Sequence, residues 1–262
     1  MKVSAYVPCY NARKTILEAV RSIIAQTIAA ADIFVVDDGS TDGSGELGSV
    51  NVIRLDANTG RGAARAKAMV EAQHELVLAC DATFILDPCF LEKALPWFCN
   101  DRVAAVFGRV RGIAPVSVAD RWRDRHLFRT CVTMEVRHQA SLATGCCLLR
   151  KSAVEAVGGF DVTMRSGEDV ELGDRLLKAG FDVICDPHLQ ATSVVSNSII
   201  EVLERYARWN TQRQMSAFGY LHQLNYALKV MAARDLKARD PLGACISLLA
   251  PHYQFWWSIV YR

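Results

Sequence analysis

Residues Val77–Pro88 read VLACDATFILDP. The apolar run that opens this stretch is short and has the pattern of a strand buried on both faces. It stops on a carboxylate, Asp81. A second carboxylate two residues later would make an Asp-x-Asp pair able to hold a divalent metal, but position 83 is Thr. The stretch is therefore a metal site short of a ligand, a site that works without metal, or an ordinary strand end.

Working outward toward the N-terminus, similar runs recur. VSAYVP (Val3–Pro8), IFVVDD (Ile33–Asp38), VNVIRL and ELVLAC read as four strands. Between the first two lies NARKTILEAVRSIIAQT, with Ile16, Val20, Ile23 and Ile24 on one helical face and Asn11 in place to cap it. The turn chemistry of GSTDGSG stops the second strand. NTGRGAARAKAMVEAQ is a glycine-containing loop entering an alanine-rich helix. Strands alternating with helices predict an α/β fold with a doubly wound, mostly parallel sheet. Ligands in such sheets sit at the carboxyl ends of the strands. Pro8–Asn11, Asp37–Asp38 and Asp81–Thr83 all end strands there.

The second half is less regular. VAAVFGRV (Val103–Val110) reads as a strand. Residues 102–137 hold eight arginines, at 102, 109, 111, 121, 123, 125, 129 and 137, against three acids. They suit an anionic lipid, a membrane surface or a phosphorylated acceptor, and equally a solvated face. GEDVELGDRLLKAGF is a helix closed by Gly180 in the left-handed position, with Phe181 packing back. Residues 198–219 read as another helix. The tail, 220–262, ends in HYQFWWSIVYR, an aromatic composition suited either to a membrane interface or to packing on the rest of the chain.

Composition narrows the function classes. A net charge of +2 over 262 residues does not suggest a nucleic-acid binder. The nine cysteines form no CxxC pair and read as free thiols of a reducing cytosol. MKVSAYVPCYN reads as a strand rather than a signal peptide, and no apolar run reaches 18 residues. GxGxxG and the Walker GKS/T are absent from the sequence.

Three groups can carry chemistry. Asp37 and Asp38 can accept hydrogen bonds from a ribose hydroxyl or a base N–H, or cap their own turn. Glu168 and Asp169 open a helix, whose positive end favours the ionised carboxylate. Such a carboxylate can take a proton from an attacking hydroxyl. Arg205, Arg208 and Trp209 in RYARW fall on one helix face. Two guanidiniums beside an aromatic ring suit a diphosphate, or form a solvated face.

Taken in order, VPCYNA, FVVDDGSTDGS, NTGRGAARAKA, LACDAT, TGCCLLRKSAVEAVGGFD, GEDVELGDRLLKAGF and RYARW resemble the family 2 glycosyltransferases of GT-A fold, over about residues 2–210. The resemblance implies inverting transfer of a sugar from a nucleotide-sugar, often UDP-linked, to a hydroxyl of a glycan or lipid-linked acceptor. It implies nucleotide contacts from Pro8 (through its backbone), Tyr10, Asp38, Arg65 and Asp81. Asp169 matches the base. Glu168, Gly145 and the Arg205, Arg208, Trp209 element fall on the diphosphate and acceptor side.

The resemblance divides the chain into a catalytic domain, 1–219, and a helical appendage, 220–262. Within the first, about 1–100 would bind nucleotide and about 101–219 the acceptor. The implied setting is cytoplasmic, at most peripheral on a membrane. Two positions depart from the pattern. Thr83 stands for the second Asp, and Ser193 for a metal-binding His, with His188 out of register.

Mg²⁺ or Mn²⁺ could still be held by Asp81, a water on Thr83 and two phosphates. Arg65, Lys67, Arg205 and Arg208 could instead supply the positive charge, or the domain could be inactive. Outside the enzyme class the alternative is a silent nucleotide-sugar-binding or scaffolding domain. A sugar-1-phosphate nucleotidyltransferase is disfavoured, because VPCYNA stands where its glycine-rich signature would be.

Overall fold

The computed structural model describes residues 1–48, 50–113, 117–128, 135–210 and 215–260. Arg129, Tyr261 and Arg262 lie outside the described residues. The chain divides into two compact units, one of Met1–Arg111 with Thr133–Val194, the other of Gly112–Val132 with Val195–Arg262.

The first unit is built on β1 (Val3–Cys9), β2 (Asp32–Asp37), β3 (Asn51–Arg54), β4 (Leu76–Cys80), β5 (Phe84–Leu86), β6 (Val103–Gly112), β7 (Cys146–Arg150) and β8 (Asp182–Ser193), in the order β3-β2-β1-β4-β7-β6-β8-β5. β1 runs parallel to β2 and β4, and β2 to β3. β7 is antiparallel to β4 and β6, and β5 to β8. The sheet is thus mixed, parallel among β1 to β4 and antiparallel where β7 and β5 pair. Only three residues link β4 to β5, too few for a crossover.

Helices α1 (Ile16–Ile24), α2 (Arg61–Glu71), α3 (Phe90–Ala94), α5 (Lys151–Ala156) and α6 (Glu168–Lys178) belong to this unit. On α1, Ile16, Val20 and Ile23 are buried as their spacing predicts, but Ile24 is 59% exposed. Asn11 does not cap the helix, which starts after Thr15. Its backbone is left-handed (φ 48°), and its Oδ1 accepts from Thr41 N at 2.9 Å, so it ties two loops instead. α6 ends as expected: Gly180 (φ 86°) donates to Leu177 O and Phe181 to Leu176 O, while Phe181 packs on the core.

The second unit is helical: α4 (Val118–His126), α7 (Ile199–Asn210), α8 (Ala217–Tyr226), a π-helical turn (Ala227–Ala232), α9 (Ala233–Lys237) and α10 (Pro241–Val260). Trp122 of α4 is fully buried with Val202, Leu203, Tyr206, Met231, Ile246 and Ala250. The arginines around it do not form a solvated or lipid-facing patch. Arg125 Nε donates to Asp235 Oδ1 at 2.7 Å, and Arg121 Nε to Asp240 Oδ2 at 3.1 Å. Arg123 Nη1 reaches Asn197 Oδ1 at 3.0 Å. These ion pairs and the Trp122 core bind α4 to the C-terminal helices. A division at 219/220 would cut through α8, and α4 groups with the helical unit rather than with an acceptor-binding half.

Candidate active site

The strand ends meet loops that they hold by hydrogen bonds. Asp38, buried after β2, accepts at Oδ1 from Thr59 N and Thr59 Oγ1, both 2.8 Å, and at Oδ2 from Gly60 N at 2.8 Å. Asp37 accepts from Ser40 N at 3.0 Å and faces Arg54 Nη1 at 3.5 Å. Gly60 has φ 102° and lies so close to Arg165 that a Cβ would come within 2.8 Å of its Cα. Arg165 in turn donates to Asn58 Oδ1 at 2.6 Å and Asn58 O at 3.1 Å. The Asn58–Gly60 loop is therefore clamped between the end of β2 and the loop that leads into α6. Pro8 is half-buried at the end of β1, and Tyr10 is 48% exposed beyond it.

Arg65, on α2, is the centre of the site. Its Nη2 donates to Asp81 Oδ1 at 2.8 Å and its Nε to Glu168 Oε1 at 3.0 Å. Nη1 lies 3.3 Å from the Tyr6 hydroxyl and 3.4 Å from Thr144 O. Burial works against the charge, yet Tyr6, Asp81 and Glu168 together hold the guanidinium well above its ordinary pKa. Burial pushes the Tyr6 hydroxyl up to about 12, against the pull of Arg65. Tyr6 and Thr144 were not among the residues expected here. A Tyr inside a fully buried strand needs a partner for its hydroxyl, which was the one available signal.

Asp169 follows Glu168 in the first turn of α6 and is half-buried. Its Oδ1 accepts from Val170 N at 2.9 Å, and its Oδ2 is 3.4 Å from Thr144 N. Gly145 lies against Asp81: its carbonyl accepts from Asp81 N at 2.8 Å. A Cβ there would stand 2.6 Å from the Phe84 ring and 3.3 Å from Asp81 Oδ2. Glu168 Oε2 and Thr144 Oγ1 are buried without a hydrogen-bond partner.

The metal question turns on few atoms. Among the described residues, no three His, Cys, Asp or Glu side chains are grouped to hold an ion. Asp81 is partly exposed (21%), and Thr83 O accepts from Val194 N at 3.0 Å. Ser193 pairs with Phe84 across β5 and β8, with its Oγ buried and unsatisfied. His188 is exposed within β8, five residues before Ser193. These residues fit a divalent cation only as one carboxylate completed by ligand phosphates and water. Lys67 pairs with Glu71 at 2.7 Å and Arg65 with its two carboxylates, so neither is a spare charge for a diphosphate. On α7 the Arg205 guanidinium lies 5.9 Å from the Trp209 ring centre, and Arg208 is one turn from Arg205. All three belong to the helical unit.

The thiols of Cys80, Cys146 and Cys147, in adjacent strands of the core, are pushed up by burial. Every cysteine described is a free thiol, and Cys99 and Cys245 are exposed.

The chain is similar to known proteins over its whole length. An N-acetylglucosaminyltransferase of Mesorhizobium japonicum is 28% identical across 97% of this chain and 66% of its own. The poly-beta-1,6-N-acetyl-D-glucosamine synthase of Staphylococcus epidermidis is 21% identical across 79% of this chain and 53% of its own. This chain thus spans between about half and two-thirds of those relatives. Among solved structures, the mannosyltransferase PcManGT of Pyrobaculum calidifontis, in complex with GDP-Man and Mn²⁺, superposes with TM-score 0.69 at 18% identity, covering all of this chain and 88% of that one. TarS 1–349 of S. aureus gives 0.59 at 17%, covering 99% of this chain and 88% of that one. The fold is that of the GT-A glycosyltransferases. The model of Glycosyl transferase family 2 matches residues 4–158, and the chain belongs to that family.

Proposed function

We propose that the protein transfers a sugar, with inversion, from a nucleoside-diphosphate sugar, most simply UDP-linked, to a hydroxyl of a glycan or lipid-linked acceptor. The observation that carries this reading is the bridge made by Arg65. One buried cation holds both Asp81, at the end of the β4 strand, and Glu168, at the start of α6. It thereby fixes the spacing between a donor-side carboxylate and Asp169, the next residue along. The name of the Staphylococcus epidermidis relative, a poly-beta-1,6-N-acetyl-D-glucosamine synthase, supports a glycan acceptor. Free thiols throughout the described cysteines support a cytoplasmic setting.

In this reading Asp38, Pro8 and Tyr10 receive the nucleotide, and Asp169 takes the proton from the acceptor hydroxyl. Asp169 stands in the first turn of α6, at the positive end of the helix. The acceptor oxygen then bonds to the anomeric carbon as the bond to the diphosphate breaks, and the electron pair leaves on the diphosphate oxygen. A divalent cation on Asp81, with a water on Thr83, would supply positive charge to that leaving group. Gly145 keeps side-chain bulk away from Asp81. Arg205, Arg208 and Trp209 keep the role the resemblance gives them, toward the diphosphate or the acceptor.

The test is incubation with a set of UDP- and GDP-sugars and candidate glycan acceptors, with and without Mg²⁺ or Mn²⁺. NMR then reads the anomeric configuration of any product. A product of inverted configuration supports the proposal. Tight nucleotide-sugar binding with neither transfer nor hydrolysis would replace it with a binding domain.

A further inference from the structure

Helix α10 is apolar on its exposed face. Its buried face mixes Ile246, Ala250 and Pro251 with small or polar residues, Gly243, Ala244, Ser247, Gln254 and Ser258. Ser247 Oγ accepts from Trp122 Nε1 at 2.8 Å, and Gln254 Nε2 donates to Asn210 O at 3.0 Å. Ser258 Oγ accepts from Met215 N at 3.2 Å. The outward face is apolar. Leu242, Cys245, Leu249, Trp256 and Ile259 recur at helical spacing, with Leu242 61% and Leu249 51% exposed. An ordinary surface helix shows a polar face to its surroundings.

α8 repeats the pattern. Phe218 (82% exposed) and Leu221 (60%) share a face, and none of its residues is buried. The two helices touch where the Tyr220 hydroxyl meets His252 Nδ1 at 2.8 Å.

Charge points to the occupant. Between Met215 and Val260 the acids are Asp235 and Asp240. Both are buried and paired with Arg121, Arg125 or His126. Lys229, Lys237 and Arg239 are exposed. The segment therefore shows apolar side chains and positive charge to its surroundings. A second copy of this chain would cover the apolar stripe, but it would bring like charges toward one another. An anionic bilayer satisfies both features at once.

We propose that the outward faces of α8 and α10 form a docking surface for an anionic lipid bilayer, with both helices lying in the plane of the interface. The leucine stripe enters the boundary between headgroups and acyl chains, and the exposed lysines and arginine meet lipid phosphates. No described helix is long and apolar enough to cross a membrane, so α10 lies on the bilayer rather than through it. This inference does not depend on the transfer chemistry, because it is measured without any sugar donor.

The test is sedimentation of the full chain with vesicles of phosphatidylglycerol and phosphatidylcholine, and with vesicles of phosphatidylcholine alone. Wild type is expected to bind the anionic vesicles. Leu242→Glu with Leu249→Glu, at exposed positions, is expected to weaken that binding at least tenfold. Lys237→Glu with Arg239→Glu should weaken it roughly fivefold or more, and selectively for the anionic vesicles, from the worth of each charge near the surface. Wild type that stays in the supernatant with both vesicle types overturns the proposal, as does unchanged binding by the leucine variant. A dimer in solution that the leucine variant dissociates, without vesicle binding by wild type, assigns the face to a second copy and also overturns it.

Discussion

Arg65 Nε and Glu168 Oε1 lie 3.0 Å apart across 103 residues of chain, and both side chains are almost wholly buried. The same guanidinium reaches Asp81 Oδ1 at 2.8 Å. One cation thus faces two carboxylates in the core of the sheet unit. Its geometry fixes the distance between the ends of two elements that are remote in sequence.

Arg65→Met is expected to leave Glu168 as an uncompensated buried charge. Breaking a buried pair in this way costs about 3–5 kcal/mol. Urea unfolding should show the loss, and adding Glu168→Gln should recover part of it. An unfolding midpoint equal to wild type for Arg65→Met would show that the pair does not hold the site together.

Asp169→Asn should leave nucleotide-sugar affinity nearly unchanged while turnover falls roughly 100-fold or more, the usual worth of a general base. Calorimetric binding and initial rates on one preparation separate the two effects. Turnover near that of wild type removes Asp169 from the mechanism.

Thr83→Asp tests the metal. If the cation rests on Asp81 and the ligand phosphates, the added carboxylate should lower the metal concentration that half-saturates UDP-dependent metal binding and activity. Metal alone should bind wild type poorly. Full wild-type activity in excess EDTA would instead show that the departing diphosphate needs no cation. Thr83→Asp would then be neutral or harmful, because it adds negative charge beside the diphosphate.

In the helical unit the Asp240 carboxyl is held well below its ordinary value of 3.8, first by its hydrogen bonds from Arg121, with burial opposing and Arg125 adding to the effect. A depressed carboxyl stabilises the fold fully above its unfolded value, and the stabilisation is lost as pH falls toward the folded one. The melting temperature of wild type should therefore drop as pH is lowered from about 4 to about 2. Asp240→Asn should melt lower at neutral pH and lose less over that acid range. Parallel curves for the two proteins would assign the acid limb to other carboxylates.

The elements around the first four strands were legible because their signals are local. A buried run such as Leu76–Cys80 and the spacing of Ile16, Val20 and Ile23 need no knowledge of distant chain. Gly180 and Phe181 ended their helix as their residue types require. What was not legible is what depends on partners far along the chain. Arg121 and Arg125 looked like surface charge because Asp235 and Asp240 follow more than a hundred residues later. Asn11 had the residue type of a cap, but Thr41 claimed its side chain. Arg65 could be matched to a family position, while its grip on Glu168 and Tyr6 could not be read from spacing.

On the proposed assignment of Asp38 to the nucleotide, the loop clamp would limit how selective that pocket can be. A carboxylate offers about four acceptor positions, and Thr59 and Gly60 already fill three of them. One lone pair on Oδ2 is left for a ligand. A single charged hydrogen bond separates a nucleobase that can donate to it from one that cannot by roughly ten- to a hundredfold. On that assignment, preference among nucleotides would be graded rather than absolute, and a poor base would be offset by a higher donor concentration.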